Sequence, residues 1–118
     1  LYDYFGDSWG IFFSHPADFT PVCTTELQEA ACIQKKFTER NVKVIAISCD
    51  SVETHKEWLK DIDGYGTKTK VDYPIIEDPK REIAIELGML DPAEKTSAGL
   101  PLTARAVFVI GPDKTVKL

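Results

Sequence analysis

The chain predicts an α/β domain of three layers, with helices on both faces of a mixed sheet. Three observations carry this: compact β-branched and aromatic runs alternate with segments of near-helical spacing, cap residues mark the helix starts, and the last segment reads as an antiparallel hairpin. At 118 residues with 43% hydrophobic content the chain buries one ordinary core, so 1–118 is read as a single domain.

Tyr2 to Phe5 and Trp9 to Ser14 are aromatic and β-branched strand-like runs around Gly6-Asp7-Ser8, read as a hairpin or a bent strand. Thr20 then Pro21 has the form of an N-cap followed by an N1 proline, and Cys23, Leu27, Ala30, Ala31 and Phe37 keep near-helical spacing, which predicts a helix over 21–40. Val42 to Ser48 is nearly continuous in apolar residues, as in a strand covered on both faces. Asp50-Ser51, with Glu53 three residues past Asp50, caps a helix that carries Val52, His55, Leu59 and Ile62 on one side. Gly64 to Asp72 reads as a loop and Tyr73 to Ile76 as a short strand. Asp78-Pro79 opens a third helix that Gly88 closes. A second loop, Asp91 to Pro101, leads to a strand over Thr103 to Ile110, a turn at Gly111 to Lys114 and a hairpin partner over Thr115 to Leu118.

The order ββ-α-β-α-β-α-β-β makes a thioredoxin-like arrangement the leading candidate. A final helix covering the last hairpin is expected outside this chain. Since the chain begins without Met and stops inside a strand-like segment, it reads as a truncated catalytic domain with a C-terminal extension missing.

Lys and Arg number 14 against 19 Asp and Glu, a formal charge of −5 spread along the chain, which argues against nucleic acid as a partner. The apolar runs Val44 to Ile47 and Ala106 to Ile110 are too short to span a bilayer, so no integral membrane contact is expected. Three cysteines at irregular spacing fit free thiols in a reducing compartment, and a cytoplasmic location is expected. With no C-x-x-C and only His15 and His55 available, neither a dithiol oxidoreductase nor a zinc site is expected. The expected chemistry takes no organic cofactor.

Cys23 is the residue that calls for chemistry. With Thr20 as N-cap it occupies N3, in a first turn whose N–H groups have no intrahelical partner and favour a thiolate. A helix terminus contributes ~0.3–1 kcal/mol and at best ~2, whereas lowering a thiol from about 8.5 to about 6 takes roughly 3.4 kcal/mol. A fixed cation must therefore approach from elsewhere, and arginine suits this better than lysine because it stays charged and offers donors in a rigid fork. Ionisation alone raises the thiolate fraction at pH 7 only ~30-fold while nucleophilicity falls. Most of the rate must then come from stabilising charge on a leaving group. A hydroxyl, free N–H groups and a guanidinium around one sulfur do this for oxygen, as cleavage of an O–O bond requires.

Pro16-x-x-x-Thr20-x-x-Cys23 is similar to the signature of the peroxiredoxins, thiol peroxidases of the thioredoxin fold. The resemblance runs through Gly6-Asp-Ser-Trp-Gly10, Pro74-Ile-Ile-Glu-Asp78, Gly88-Met-Leu-Asp-Pro-Ala93 and Thr103-Ala-Arg-Ala-Val-Phe-Val109, with Arg105 at the family's active-site arginine. Thr24 after the cysteine, and Leu87-Gly-Met-Leu-Asp-Pro-Ala-Glu94, resemble the 1-Cys subgroup. The resemblance implies that Cys23 attacks a hydroperoxide and becomes sulfenic acid, in antioxidant defence and redox homeostasis. It implies that Thr20 hydrogen-bonds sulfur and peroxide, that Arg105 stabilises the thiolate and the departing oxygen, and that Pro16 shields the sulfur from water. Glu26, one turn on, is a candidate to orient a guanidinium, and His15 a candidate pocket residue. An external thiol of glutathione or thioredoxin type and a homodimer are implied as partners. Taken singly these residues have plainer roles: a buried structural thiol, a cap, a turn proline, a surface arginine, a turn histidine. Their joint spacing changes the assignment.

Cys32 lies nine residues after Cys23 on the same helix, about 13.5 Å along the axis and on the opposite side, so the two cannot pair without unfolding it. Cys49, at the end of the Val42 to Ser48 strand, is read as a packed spectator. Three rivals accompany the peroxidase: a peroxide sensor without significant turnover, a 2-Cys enzyme whose resolving cysteine lies in the missing segment, and a serine lipase. The last rests on Gly6-Asp-Ser-Trp-Gly10 as a G-x-S-x-G elbow; some 1-Cys relatives are credited with phospholipase activity through this serine. An elbow needs a strand-to-helix turn, Asp113 matches the acidic member, and the histidine six residues before the serine is Tyr2 here, which disfavours it.

Overall fold

The computed structural model describes residues 2–16, 21–64, 71–95 and 99–118. Its elements in chain order are α1 (Tyr2–Phe5), β1 (Trp9–Ser14), α2 (Pro21–Glu39), β2 (Val42–Ser48), α3 (Val52–Gly64), β3 (Ile75–Glu77), α4 (Glu82–Glu86), β4 (Leu90–Lys95), β5 (Pro101–Thr103) and β6 (Val107–Ile110). Four strands form one sheet in the order β3-β2-β1-β6, and β4 pairs with β5 in a separate ribbon. β1 runs parallel to β2, β2 parallel to β3, and β1 antiparallel to β6. The sheet is mixed, as expected.

Alternation along the strands builds the layers. Val44 and Ala46 of β2 pack with Leu27 and Ala31 of α2 and Trp58 of α3, joined by Ile11 and Phe13 of β1. Ile45 and Ile47 point the other way, into a cluster with Phe5, Phe12, Ala84 and Met89. A period of two in β1 and β2 thus gives α2 and α3 one face and α1 and α4 the other. Tyr73 fastens α2 to the strand edge by donating its hydroxyl to the Leu27 carbonyl at 2.8 Å.

Caps follow the sequence signals with small shifts. Ser51 accepts the Thr54 N–H at the start of α3, while Glu77 accepts the Val52 N–H at 3.0 Å. α4 opens at Glu82, later than the Asp78-Pro79 signal, yet the buried Asp78 carboxylate accepts the N–H groups of Ile83 and Ala84. Gly88 follows α4 at φ 65°, a conformation that favours glycine.

Three expectations are corrected. Tyr2 to Phe5 is one helical turn, because Phe5 must fold under the sheet: it is buried, and a Cβ on Gly10 would stand 2.6 Å from its ring. The stretch read as a loop, Asp91 to Pro101, contains β4 and the start of β5, paired with an irregular register between Asp91 and Lys95. Thr103 to Ile110 is not one strand: Thr103 ends β5, residues 104–106 leave both ladders, and β6 starts at Val107. The expected hairpin partner, Thr115 to Leu118, does return antiparallel along β6: Ile110 bridges Val116, Val109 N–H reaches the Leu118 carbonyl at 2.9 Å, Lys117 N–H the Val109 carbonyl at 2.7 Å, and Gly111 N–H the Thr115 carbonyl at 2.9 Å. Among the described residues no helix is long and apolar enough to cross a membrane.

Candidate active site

β1 and β2 end together, with Ser14 opposite Ile47, and β6 begins at the same edge, with Val107 opposite Phe13. The link from β5 also arrives at this edge, where Ser14 bonds Ala104 and Ala106, and Arg105 of that link meets Glu26 of α2. The three segments that carry the candidate residues therefore meet at the C-terminal ends of the parallel strands, where α/β sheets place their sites.

α2 begins at Pro21, so Cys23 takes its third position, in the first turn. Thr20 lies outside the described residues, and Cys23 is described by its backbone. Glu26 is one turn further on, and its Oε2 accepts a hydrogen bond from Arg105 Nη1 at 2.5 Å. The arginine proposed from across the fold thus reaches the start of the cysteine's helix. Both partners are about half exposed, at 43% and 47%, so the pair contributes at most ~1 kcal/mol to stability. Its consequence is geometric: it fixes where a permanent positive charge stands. The hollow that Glu26 and Arg105 border, about 440 Å³, has apolar walls from Ile11, Phe13, Ile33 and Phe37.

Pro16 is buried just past the end of β1. His15 is 1% exposed. Its N–H donates to the Ile47 carbonyl at 3.1 Å, and its carbonyl accepts the Thr103 hydroxyl at 2.7 Å. Its ring packs against Trp58, with centroids 5.0 Å apart, and against His55 at 6.3 Å. His15 is thus clamped between β2, β5 and α3. The sequence reading missed Trp58, Thr103 and Ser14; the three-residue step from His55 to Trp58 on α3 is a signal that could have exposed the first.

The other thiols separate by environment. Cys32 is exposed on α2. Cys49 is buried just after β2, and burial pushes its thiol up, a shift that nearby Arg81 opposes and Asp78 reinforces. Such a thiol is held protonated and inert. Among the described residues no group of His, Cys, Asp or Glu is placed to hold a metal ion. Ser8 stands at the other end of β1, where its hydroxyl donates to Asn41 Oδ1 at 3.1 Å. The turn carrying it leads from helix to strand, the reverse of a nucleophile elbow. Asp113 is engaged by Lys117 Nζ and the Thr115 hydroxyl, each at 2.8 Å.

Sheet order, layers and a cysteine at the start of the first long helix define a thioredoxin-like α/β protein with an arginine brought beside that helix. The chain belongs to the AhpC/TSA family, whose match spans residues 1–118. It is 61% identical over 121 residues to peroxiredoxin-6 of Homo sapiens and 60% to that of Bos taurus, covering 100% of this chain and 54% of each relative. The chain thus spans about half the length of the curated relatives it matches. Among solved structures it superimposes on a cysteine-to-serine variant of peroxiredoxin 6 of Arenicola marina with TM-score 0.94 and 56% identity, over 99% of this chain and 54% of that one. A yeast mitochondrial 1-Cys peroxiredoxin, solved for its thiol-resolving mechanism via glutathione/thioredoxin systems, gives TM-score 0.87 and 47% identity over 99% of this chain and 56% of that one.

Proposed function

We propose that the chain carries the catalytic part of a 1-Cys thiol peroxidase that reduces hydrogen peroxide and organic hydroperoxides. The observation that carries this is the Arg105–Glu26 pair, which brings a permanent cation to within one turn of Cys23 along α2. In the proposed reaction the Cys23 thiolate attacks one peroxide oxygen, an S–O bond forms and the O–O bond breaks. The electron pair leaves on the second oxygen, which takes a proton and departs as water or alcohol. Sulfur is oxidised to sulfenic acid and the peroxide is reduced. Thr20, hydrogen-bonding sulfur and peroxide, and Pro16, screening water, complete this reading.

Two equivalents of an external thiol of glutathione or thioredoxin type then return the sulfenic acid to thiol, releasing water and a disulfide. The similarity to peroxiredoxin-6 and to the yeast 1-Cys protein supports this partner class. Antioxidant defence in the cytoplasm, as a homodimer, belongs to the same proposal; the exposed thiol of Cys32 suits a reducing compartment.

Stopped-flow oxidation by hydrogen peroxide tests it on the full-length wild type, Cys23→Ser and Arg105→Ala. Rapid thiol loss is expected in the wild type, none at position 23 in the serine variant, and a large slowing without the guanidinium. Equal rates in wild type and Cys23→Ser would overturn the assignment. Turnover with added reductant separates an enzyme from a sensor.

A further inference from the structure

Ser14, the last residue of β1, is buried and makes three hydrogen bonds to the segment that carries Arg105. Its N–H donates to the Ala106 carbonyl at 2.9 Å. Its hydroxyl accepts the Ala106 N–H at 3.1 Å and donates to the Ala104 carbonyl. One hydroxyl, using its proton and a lone pair, therefore bridges the two peptide groups on either side of Arg105.

Satisfying stray peptide groups at a strand end needs only one bond at a time. Holding the carbonyl before a residue and the N–H after it to a single atom restrains both backbone dihedrals of that residue. Regular pairing of β1 with β6 stops at Phe13 and Val107, so 104–106 lie beyond the ladder. On the N-terminal side, Ala104 N–H reaches the Met89 carbonyl at 2.6 Å and the Thr103 hydroxyl reaches His15. From there to Val107, the Ser14 bridge sets the course of the backbone. Arg105 leaves that backbone toward α2 and meets Glu26.

We propose that Ser14 is a positioning residue for the peroxide chemistry, setting the Arg105 backbone so that the guanidinium stands beside the first turns of α2. This rests on the peroxidase reading above. In full-length protein, Ser14→Ala is expected to slow oxidation of Cys23 by hydrogen peroxide about 10- to 100-fold, the scale of an ångström misplacement. It should also move the pH midpoint of Cys23 alkylation, followed on the Cys23 peptide by mass spectrometry, to higher pH. Ser14→Thr, which keeps the hydroxyl, should retain most of the rate.

In an Arg105→Ala background the same Ser14→Ala change should add no further loss, since the hydroxyl acts through the guanidinium. A rate within about twofold of wild type for Ser14→Ala, or an undiminished loss in the Arg105→Ala background, would overturn the positioning role. If Ser14→Ala does not fold, the isosteric pair Ser14→Thr and Ser14→Val decides: a fast threonine and a slow valine variant support the role, and equal rates refute it. Wild type no faster than Cys23→Ser would sink the peroxidase reading itself; a fast wild type with an unaffected Ser14→Ala sinks only the bridge.

Discussion

Arg105 and Glu26, 79 residues apart in the chain, are joined by a 2.5 Å hydrogen bond that ties the link between β5 and β6 to the second turn of α2. The pair is charge-assisted yet open to solvent, so its contribution to stability and its contribution to chemistry should separate.

Glu26→Gln makes that separation measurable. Unfolding free energy should change by less than about 1 kcal/mol, because an exposed pair contributes little. Oxidation by peroxide should slow by about tenfold, because the guanidinium loses the charged partner that holds it in place. The two readouts are denaturant unfolding and stopped-flow fluorescence on the full-length protein. A large stability loss with an unchanged rate would reverse the argument.

Tyr73→Phe tests the tie between α2 and the strand edge. The phenol is buried and donates to the Leu27 carbonyl, and burial pushes its titration far above the ordinary range. Loss of one buried hydrogen bond costs about 1 kcal/mol, with the ring retained and no cavity formed. Chemical denaturation should show that cost without a change in m-value.

How much of this was legible depends on whether the deciding contacts are local. β2 reads directly from Val42 to Ser48 because both its faces are covered, and the start of α2 reads from Pro21 because the fixed φ of proline suits a first helical position, a local property. Tyr2 to Phe5 does not, since its helical turn is decided by the seat of Phe5 against Gly10 in a different element. Asp91 to Lys95 carries a proline and three charges, and such a strand is tolerated only in an edge pairing whose partner lies beyond the next segment. For the site, Cys23 and Pro16 stand out by motif, and Arg105 by resemblance alone. Ser14 and Thr103 escape because a hydroxyl at a strand end has no signature until the segment it bridges is in place.

Gly10→Ala should destabilise the α1 face. A Cβ there would meet Phe5 ring atoms at 2.6, 2.7 and 2.8 Å, and that ring is fully enclosed. Overpacking of this kind costs about 1–3 kcal/mol. Adding Phe5→Leu should return part of the loss, since a smaller side chain removes the clash; a double-mutant cycle by thermal unfolding reads the coupling. Simple additivity would show that the strain is relieved elsewhere.

Ser8→Ala distinguishes a structural serine from a nucleophile. The hydroxyl spans from the start of β1 to Asn41, which adopts φ 56° between α2 and β2, so its removal should cost about 1 kcal/mol. Any esterase activity in the full-length protein should be unchanged. Abolition of such activity by this one substitution would restore the serine to chemistry.

Cys49 sets a sign for the alkaline limb of stability. Burial holds its thiol protonated above the ordinary value of 9.0, so the folded chain keeps a proton that the unfolded chain has already released. Where the unfolded state binds fewer protons, stability falls as pH rises. Its contribution is therefore complete below about pH 9 and declines above it. Tyr73 follows the same sign from its own higher starting value of 10.0. Unfolding free energies of wild type and Cys49→Ala, measured under reducing conditions from pH 7 to 10, should keep a constant gap up to about pH 9 and then converge, because every other titration cancels in the difference. A gap that stays constant through pH 10, or widens, would mean that the thiol ionises as freely inside the fold as outside it.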